Sequence, residues 1–233
     1  MLPYSMLLLF FVAIAAVRSA EHRSSDWDIK STEMKKGDKA NLKLYYESLC
    51  PDCVDFQIQR LDPLLKEIGS YIDLKLYPYG KAKRHEKNGK TVITCQHGEE
   101  ECYGNKLHAC AIDKLKDIYK AAHYITCMMN GTWGGDGSTD KDATKCGDQM
   151  KIDSKPIKKC AKGDKGEELL EYYGKETDKV KFRNVPYVLI NEEEFEMFED
   201  LKKKICETLK NPPPQCKTKE LMNILSSILS NIL

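Results

Sequence analysis

Two cysteines separated by two residues, Cys50 and Cys53, lie where a predicted strand gives way to a predicted helix. The strand is expected over residues 42–46, which are mostly apolar or aromatic. The helix is predicted by apolar residues at helical spacing that precede Gly69, namely Phe56, Ile58, Leu61, Leu64, Leu65 and Ile68. Residues 71–80 alternate apolar and polar side chains and predict a second strand. This order of elements predicts a βαβ unit with a right-handed crossover.

A CxxC pair at the start of the helix in such a unit is typical of a redox dithiol. The first cysteine lies at the helix N-terminus, where free N–H groups and the helix dipole favour its thiolate. Pro51 suits the first helical position because it has no N–H to lose. We therefore predict that Cys50 attacks a disulfide and that Cys53, one turn further along, resolves the mixed disulfide.

Two other interpretations of the pair remain open at this point. A zinc half-site needs two more ligands, which His97 or other cysteines could supply, but the chain has no second CxxC. A purely structural disulfide is the other alternative. The redox interpretation is favoured by the strand–helix context, and we predict neither a metal ion nor a cofactor.

Asp52 lies between the two cysteines and places a carboxylate next to Cys50. A negative charge there should oppose thiolate formation, and protonation of Asp52 in an acidic compartment would weaken that effect. One hypothesis is that Asp52 tunes the reactivity of the pair towards low pH. The equal alternative is that Asp52 is simply an exposed residue of the first helical turn.

Residues 180–191 (VKFRNVPYVLIN) predict a strand interrupted by Pro186. Thioredoxin-like sites have a cis-proline at the start of a strand opposite the CxxC pair. We therefore expect a cis peptide bond between Val185 and Pro186, and we assign these two residues to substrate binding.

The N-terminal residues predict entry into the secretory pathway. Residues 7–17 are apolar but too few to span a bilayer, so residues 1–20 are predicted to be a cleaved signal peptide. Residues 21–40 are predicted to be a polar tail of the mature chain. The sequon at Asn130 predicts a glycosylated surface loop and agrees with secretory passage.

Ten cysteines behind an apolar leader indicate an oxidising compartment and a disulfide framework. Apart from the CxxC pair, eight cysteines allow four bridges, whose connectivity the sequence does not determine. The pair Cys206–Cys216 is the one bridge that we predict, because prolines 212–214 can turn the chain back.

The domain is expected to span residues 41–216, with a cysteine-rich, mainly helical insertion at about residues 81–179. Within it, residues 81–90 are interpreted as a charged loop and residues 166–174 as a short helix that ends at Gly174. A further helix is predicted over residues 192–210, with an apolar face made by Phe195, Phe198, Leu201, Ile205 and Leu209.

Residues 217–233 carry an apolar stripe at helical spacing. This stripe predicts a helix packed on the domain, a homodimerising or membrane-surface helix, or a removable propeptide. The net charge is +1, so bulk charge does not indicate a nucleic-acid partner, and we predict no transmembrane segment.

The most distinctive stretch of the chain is CQHGEEECYGNKLHAC, residues 95–110. It resembles the signature of the gamma-interferon-inducible lysosomal thiol reductase (GILT) family at every fixed position: Cys95, Gln96, His97, Gly98, Glu101, Cys102, Asn105 and Cys110. The upstream CxxC after YYESL and the downstream NVPYVLIN extend the resemblance over roughly residues 40–216. Family members often have Trp after the proline, where this chain has Tyr187.

The resemblance implies an α/β, thioredoxin-like fold with a cysteine-rich, mainly helical insertion. It also implies an enzyme that reduces protein disulfides with electrons from a small thiol, best at acidic pH, in lysosomes or after secretion, with a role in immunity. Cys50 and Cys53 would be the active pair, whereas Gln96, His97 and Asn105 would organise the insertion.

Two other functions compete with the reductase. A secreted family member could act by holding a ligand, but a pure binder does not need both thiols. An oxidase or isomerase on the same fold would differ only in reduction potential, which the sequence does not give.

Overall fold

The structure is a computed structural model that describes residues 38–132 and 137–217. The predictions for residues 1–20, for most of the 21–40 tail and for residues 218–233 lie outside the described residues. In the part that is described, no helix combines the length and the apolarity that crossing a bilayer requires.

The described residues contain helices and strands, and the strands form two sheets. The strands are β1 (Ala40–Tyr46), β2 (Ile72–Pro78), β3 (Lys83–Lys87), β4 (Lys90–Thr94), β5 (Tyr187–Ile190) and β6 (Glu193–Glu194). The helices are α1 (Pro51–Asp55), a π-helical segment (Phe56–Leu61), α2 (Asp62–Ile68), α3 (Glu99–Leu115), α4 (Ile118–Met129), α5 (Asp140–Met150), α6 (Lys155–Lys162), α7 (Asp164–Thr177) and α8 (Leu201–Thr208).

The larger sheet has the strand order β2-β1-β5-β6. β1 and β2 are parallel, with Ala40 opposite Ile72 and Tyr46 opposite Pro78, and β5 runs antiparallel to β1. The chain passes from β1 to β2 through α1, the π-helical segment and α2. The predicted strand–helix–strand order is therefore confirmed.

The helix between these strands contains a π-helical segment just before Pro63. A proline inside an α-helix cannot donate to the carbonyl one turn earlier and clashes with it, and a π segment is one way for the chain to accommodate this. Within the segment, the buried Gln57 donates from Nε2 to Oγ1 of Thr126 at 2.9 Å. This bond joins the helix that follows the CxxC pair to α4.

The charged segment at 81–90, predicted to be a loop, instead belongs to the hairpin formed by β3 and β4. Its two-residue turn is Asn88–Gly89, with φ of 53° and 72°. Two consecutive left-handed residues of this kind make the turn that best fits the twist of a hairpin. The loop interpretation overlooked this Asn-Gly signal.

The helix predicted to end at Gly174 continues to Thr177. Gly174 is buried in α7, and a Cβ atom there would lie 2.7 Å from Cε2 of Tyr79. The glycine therefore allows close packing against Tyr79 rather than ending the helix.

The helix predicted over residues 192–210 is also shorter than expected. β6 pairs with β5, and α8 begins only at Leu201, where the Asp200 side chain caps it by accepting from the Lys203 N–H at 2.9 Å. Upstream of the cap, Nη1 of Arg60 donates to the Met197 carbonyl at 2.6 Å, and its Nη2 donates to the Glu199 carbonyl. These bonds hold the chain in a non-helical loop, from which Phe198 projects with 86% of its surface exposed.

Eight cysteines form four disulfides, and Cys50 and Cys53 remain free. The predicted Cys206–Cys216 bridge is present. The other three bridges lie between β4 and α7, in the pairs Cys95–Cys102, Cys110–Cys160 and Cys127–Cys146. The last two join helices whose packing the sequence alone did not determine, namely α3 to α6 and α4 to α5.

Candidate active site

Cys50 occupies the N-cap position of α1, and Cys53 lies one turn inside it. Cys50 has extended backbone angles, and its carbonyl accepts from the Val54 N–H at 3.0 Å. Pro51 is the first helical residue, as predicted. The Cys50 side chain is 8% exposed, whereas Cys53 is fully buried. Only the first of the two thiols therefore has access to a substrate.

The two thiols differ in acidity. A hydrogen bond from the Cys53 thiol, aided by backbone N–H groups of Cys53 and Asp52, lowers the pKa of Cys50 to about 7 against the opposing effect of burial. Burial raises the pKa of Cys53 well above its usual value. A thiolate is the attacking species in disulfide exchange, so this asymmetry makes Cys50 the nucleophile of the pair.

The Val185–Pro186 segment lies against the dithiol. The peptide bond between these residues is cis, as the sequence led us to expect. The Val185 carbonyl accepts from Sγ of Cys50 at 3.8 Å, and both residues are buried. The start of β5 therefore lies beside the Cys50 sulfur.

Glu47 is a neighbour of the dithiol that the sequence analysis missed. It is fully buried, its backbone N–H donates to Sγ of Cys53 at 3.5 Å, and its negative charge raises the pKa of Cys50. Asp52, by contrast, is exposed. A carboxylate three residues before a CxxC, at the end of an apolar strand, was the available signal.

The signature residues at 95–110 lie at the start of α3. Gly98 caps this helix with φ of 89°, a left-handed conformation that favours glycine. Nδ1 of His97 lies 2.5 Å from Oε2 of Glu101. Oδ1 of Asn105 accepts from the Ser48 N–H at 2.9 Å, so the signature reaches the loop that precedes Cys50. Gln96 is exposed.

The sequence comparisons agree with this arrangement. Residues 41–150 match the family model described as gamma interferon inducible lysosomal thiol reductase (GILT). A gamma-interferon-inducible lysosomal thiol reductase-like protein from Anopheles gambiae is 33% identical over 195 residues, 76% of this chain and 80% of that protein. The chain belongs to the GILT family. The mouse gamma-interferon-inducible lysosomal thiol reductase is 29% identical over 229 residues, 88% of each chain.

Solved structures similar to this member of the GILT family have a thioredoxin-like fold. BdbD from Bacillus subtilis superposes with a TM-score of 0.53 and 14% identity, over 76% of this chain and 91% of BdbD. DsbA from Mycobacterium tuberculosis also gives 0.53, with 15% identity, over 76% of this chain and 85% of DsbA. The predicted α/β, thioredoxin-like fold is confirmed.

The geometry of this GILT-family site does not favour the zinc interpretation. Across residues 38–132 and 137–217, no three-donor cluster of His, Cys, Asp or Glu includes Cys50 or Cys53. The one three-donor group found there joins Glu47, His97 and Glu101, and the His97–Glu101 separation in it is that of a hydrogen bond. His108, the other histidine of the 95–110 stretch, is fully buried, and burial lowers its pKa to about 3. Its two ring nitrogens are hydrogen-bonded to Tyr46 and Ser138.

Proposed function

We propose that this GILT-family protein is a protein-disulfide reductase. The Cys50 thiolate attacks one sulfur of a substrate disulfide, which forms a mixed disulfide and releases the other sulfur as a thiolate that takes up a proton. Cys53 then loses its proton and attacks Sγ of Cys50, which releases the second substrate thiol. The substrate disulfide gains two electrons, and the Cys50–Cys53 disulfide that remains is reduced by a small thiol donor.

The observation that carries this proposal is a free dithiol in which Cys50 has a lowered pKa and keeps 8% of its surface exposed, whereas Cys53 has a raised pKa and is fully buried. At about pH 5 a thiol with a pKa of about 7 is ionised in about one molecule in a hundred. An ordinary cysteine is ionised there in about one in three thousand. The lowered pKa of Cys50 therefore supports exchange under the acidic conditions that the family resemblance implies.

A groove that begins at Pro186, next to the residue whose carbonyl contacts the Cys50 sulfur, supports a protein as the substrate. It has a volume of about 620 Å³, and its lining includes Pro186, Tyr187, Met197 and Phe198. Met197 and Phe198 are 38% and 86% exposed. In a folded substrate, the large apolar side chains near a buried disulfide are themselves buried, and they become available for binding only when the substrate unfolds. Exposed apolar residues such as those of this groove mark binding surfaces. We therefore propose that the groove binds apolar segments of unfolded substrates.

Replacing Phe198 with alanine tests the groove. We expect Phe198→Ala to raise KM for a denatured disulfide-linked protein about threefold to tenfold, since it removes apolar area that a bound segment would cover. Reduction of a small aromatic disulfide should be unchanged, because such a substrate needs only the dithiol. Steady-state kinetics with both substrates measure the effect.

Tyr172→Ala is the matched control, because Tyr172 is another exposed aromatic residue, 51% exposed, on α7 and outside the groove. It should leave both KM values unchanged. Equal KM values for Phe198→Ala and the native protein with the denatured substrate would rule out the groove as a binding surface.

Several features support a protein of the secretory pathway that is secreted or lysosomal. The four disulfides require oxidising conditions during folding. Asn130, at the end of α4, is exposed and thus open to glycosylation. We propose in addition that residues 1–20 are removed as a signal peptide.

The proposed function is tested by reduction of disulfide-linked, denatured antibody chains with purified protein and a small thiol donor. We expect the protein to release free chains faster than the donor alone at about pH 5 as well as at about pH 7. Rates equal to those of the donor alone at both pH values would overturn the reductase and favour a binding protein. Faster oxidation of a substrate dithiol than reduction of a disulfide would favour the oxidase.

A further inference from the structure

Tyr46 and Ser48, which flank Glu47 at the end of β1, are both hydrogen-bonded to α3. The Tyr46 hydroxyl lies 3.2 Å from Nδ1 of His108. The Ser48 N–H donates to Oδ1 of Asn105 at 2.9 Å, and its hydroxyl donates to the Glu101 carbonyl at 3.1 Å. Since Cys50 follows two residues later, α3 fixes the segment that delivers the nucleophile.

Glu47, between Tyr46 and Ser48, is fully buried. Its Oε1 accepts from the Lys81 N–H at 2.7 Å. Its Oε2 lies 3.5 Å from Nδ1 of His97 and has no hydrogen-bond partner among the described residues. Gly80 packs so closely that a Cβ atom there would lie 2.2 Å from Cγ of Glu47. A buried carboxylate with one free oxygen is costly to keep ionised.

The same residue touches the dithiol through its backbone, since the Glu47 N–H donates to Sγ of Cys53 at 3.5 Å. The charged and titratable groups that face it come from three parts of the chain. They are Cys50 and Cys53 from the start of α1, Lys81 from the segment after β2, and His97 and Glu101 from the signature. Glu47 is thus the link between the signature and the two thiols.

We propose that Glu47, held by the Lys81 N–H and lying next to His97, is the positioning residue through which pH acts on Cys50. In its ionised form it opposes the Cys50 thiolate by like-charge repulsion, and in its protonated form it does not. The inference rests on the proposed function, and it gives the signature a role in reactivity as well as in organising the insertion.

The direction in which pH changes the Cys50 thiolate follows from the pKa values of Glu47 and Cys50. Burial raises the pKa of Glu47, while the backbone N–H of Lys81 and the charge of His97 partly oppose this. As pH falls, Glu47 therefore takes up a proton earlier than an exposed glutamate does. The negative charge that raises the pKa of Cys50 is then lost, which offsets part of the loss of thiolate that acidification causes. The two groups titrate as a pair rather than independently.

The test is the pH dependence of Cys50 alkylation in reduced protein, followed by mass spectrometry of the Cys50 peptide in buffers that contain a chelator. Glu47→Gln keeps the shape and an acceptor for Lys81 but has no charge. We expect the midpoint of Cys50 alkylation to move about half a unit or more to lower pH, which for a native pKa of about 7 raises the rate at pH 7 about 1.5-fold. A profile that superimposes on that of the native protein would overturn the proposal.

Two controls separate this effect from a general change of charge. Glu99→Gln removes an exposed carboxylate from the first turn of α3 and should leave the profile unchanged. Asp52→Asn tests the carboxylate inside the CxxC pair. If Asp52→Asn moves the profile and Glu47→Gln does not, the pH sensor is Asp52 and the proposal is wrong.

His97→Gln keeps the proposal testable if Glu47→Gln does not fold, because His97 is on the exposed side of the cluster. Its charge lowers the pKa of Glu47, so its removal should keep Glu47 protonated to higher pH. Cys50 should then be alkylated faster at mildly acidic pH, and an unchanged or slower rate would contradict the proposal. Alkylation needs no reductase activity, so a shifted profile in an inactive protein would overturn the proposed function and leave this inference standing.

Discussion

Cys50→Ser is expected to abolish the reduction of protein disulfides. A serine hydroxyl does not ionise near neutral pH and does not exchange with disulfides, so no other group can begin the reaction. The burial of Cys53 and its raised pKa prevent it from taking over as the attacking thiol. We expect the rate above that of the donor alone to fall on the order of a thousandfold or more, measured with disulfide-linked antibody chains.

Two observations make this loss interpretable. The variant should keep its fold, because Cys50 forms none of the four disulfides and serine is slightly smaller than cysteine. Circular dichroism and a mass-spectrometric count of the four bridges check this. Residual activity within tenfold of the native rate in a correctly bridged Cys50→Ser protein would show that another group begins the reaction.

The dithiol and its frame were predictable because their signals are local. Apolar spacing gave β1, the following helix and β2, and Pro51 marked the first residue of α1. These inferences use residues within a single segment of the chain. The cis peptide bond before Pro186 was expected on a different ground, because thioredoxin-like sites have a cis-proline at the start of a strand opposite the CxxC pair.

Glu47 was missed because its environment is made by residues distant in the sequence. Lys81, His97 and Glu101 reach it only after β2 and α3 have packed against β1. For the same reason, the Cys110–Cys160 and Cys127–Cys146 disulfides followed only from helix packing.

The loop that carries Phe198 shows a different reason why a prediction from the sequence was wrong. Residues 192–199 have the spacing of an amphipathic helix, but Arg60 binds the carbonyls of Met197 and Glu199 and stacks on the ring of Phe195, 5.2 Å from its centroid. These contacts come from Arg60, which is distant in the sequence, and they outweigh the weak helical preference of residues 192–199. A local signal for the true start of the helix was nevertheless present in Asp200, which caps α8.

Cys53→Ser is expected to trap the mixed disulfide between Cys50 and the substrate. Cys50 still attacks, because a serine hydroxyl can donate a hydrogen bond to the thiolate as the Cys53 thiol does. Without the second thiol, the substrate is released only when the small thiol donor attacks the mixed disulfide, and this attack is bimolecular. The advantage of an adjacent resolving thiol is commonly large, so we expect turnover to fall by about a hundredfold while the adduct accumulates.

Non-reducing electrophoresis after acid quenching measures this adduct as a species with the combined mass of protein and substrate chain, which a reducing agent dissociates. Cys50→Ser under the same conditions should give none. The opposite pattern, with an adduct in Cys50→Ser and none in Cys53→Ser, would make Cys53 the attacking thiol. That result would be incompatible with the order of acidity in the pair, because the group that must ionise first would be the one that the fold buries most completely.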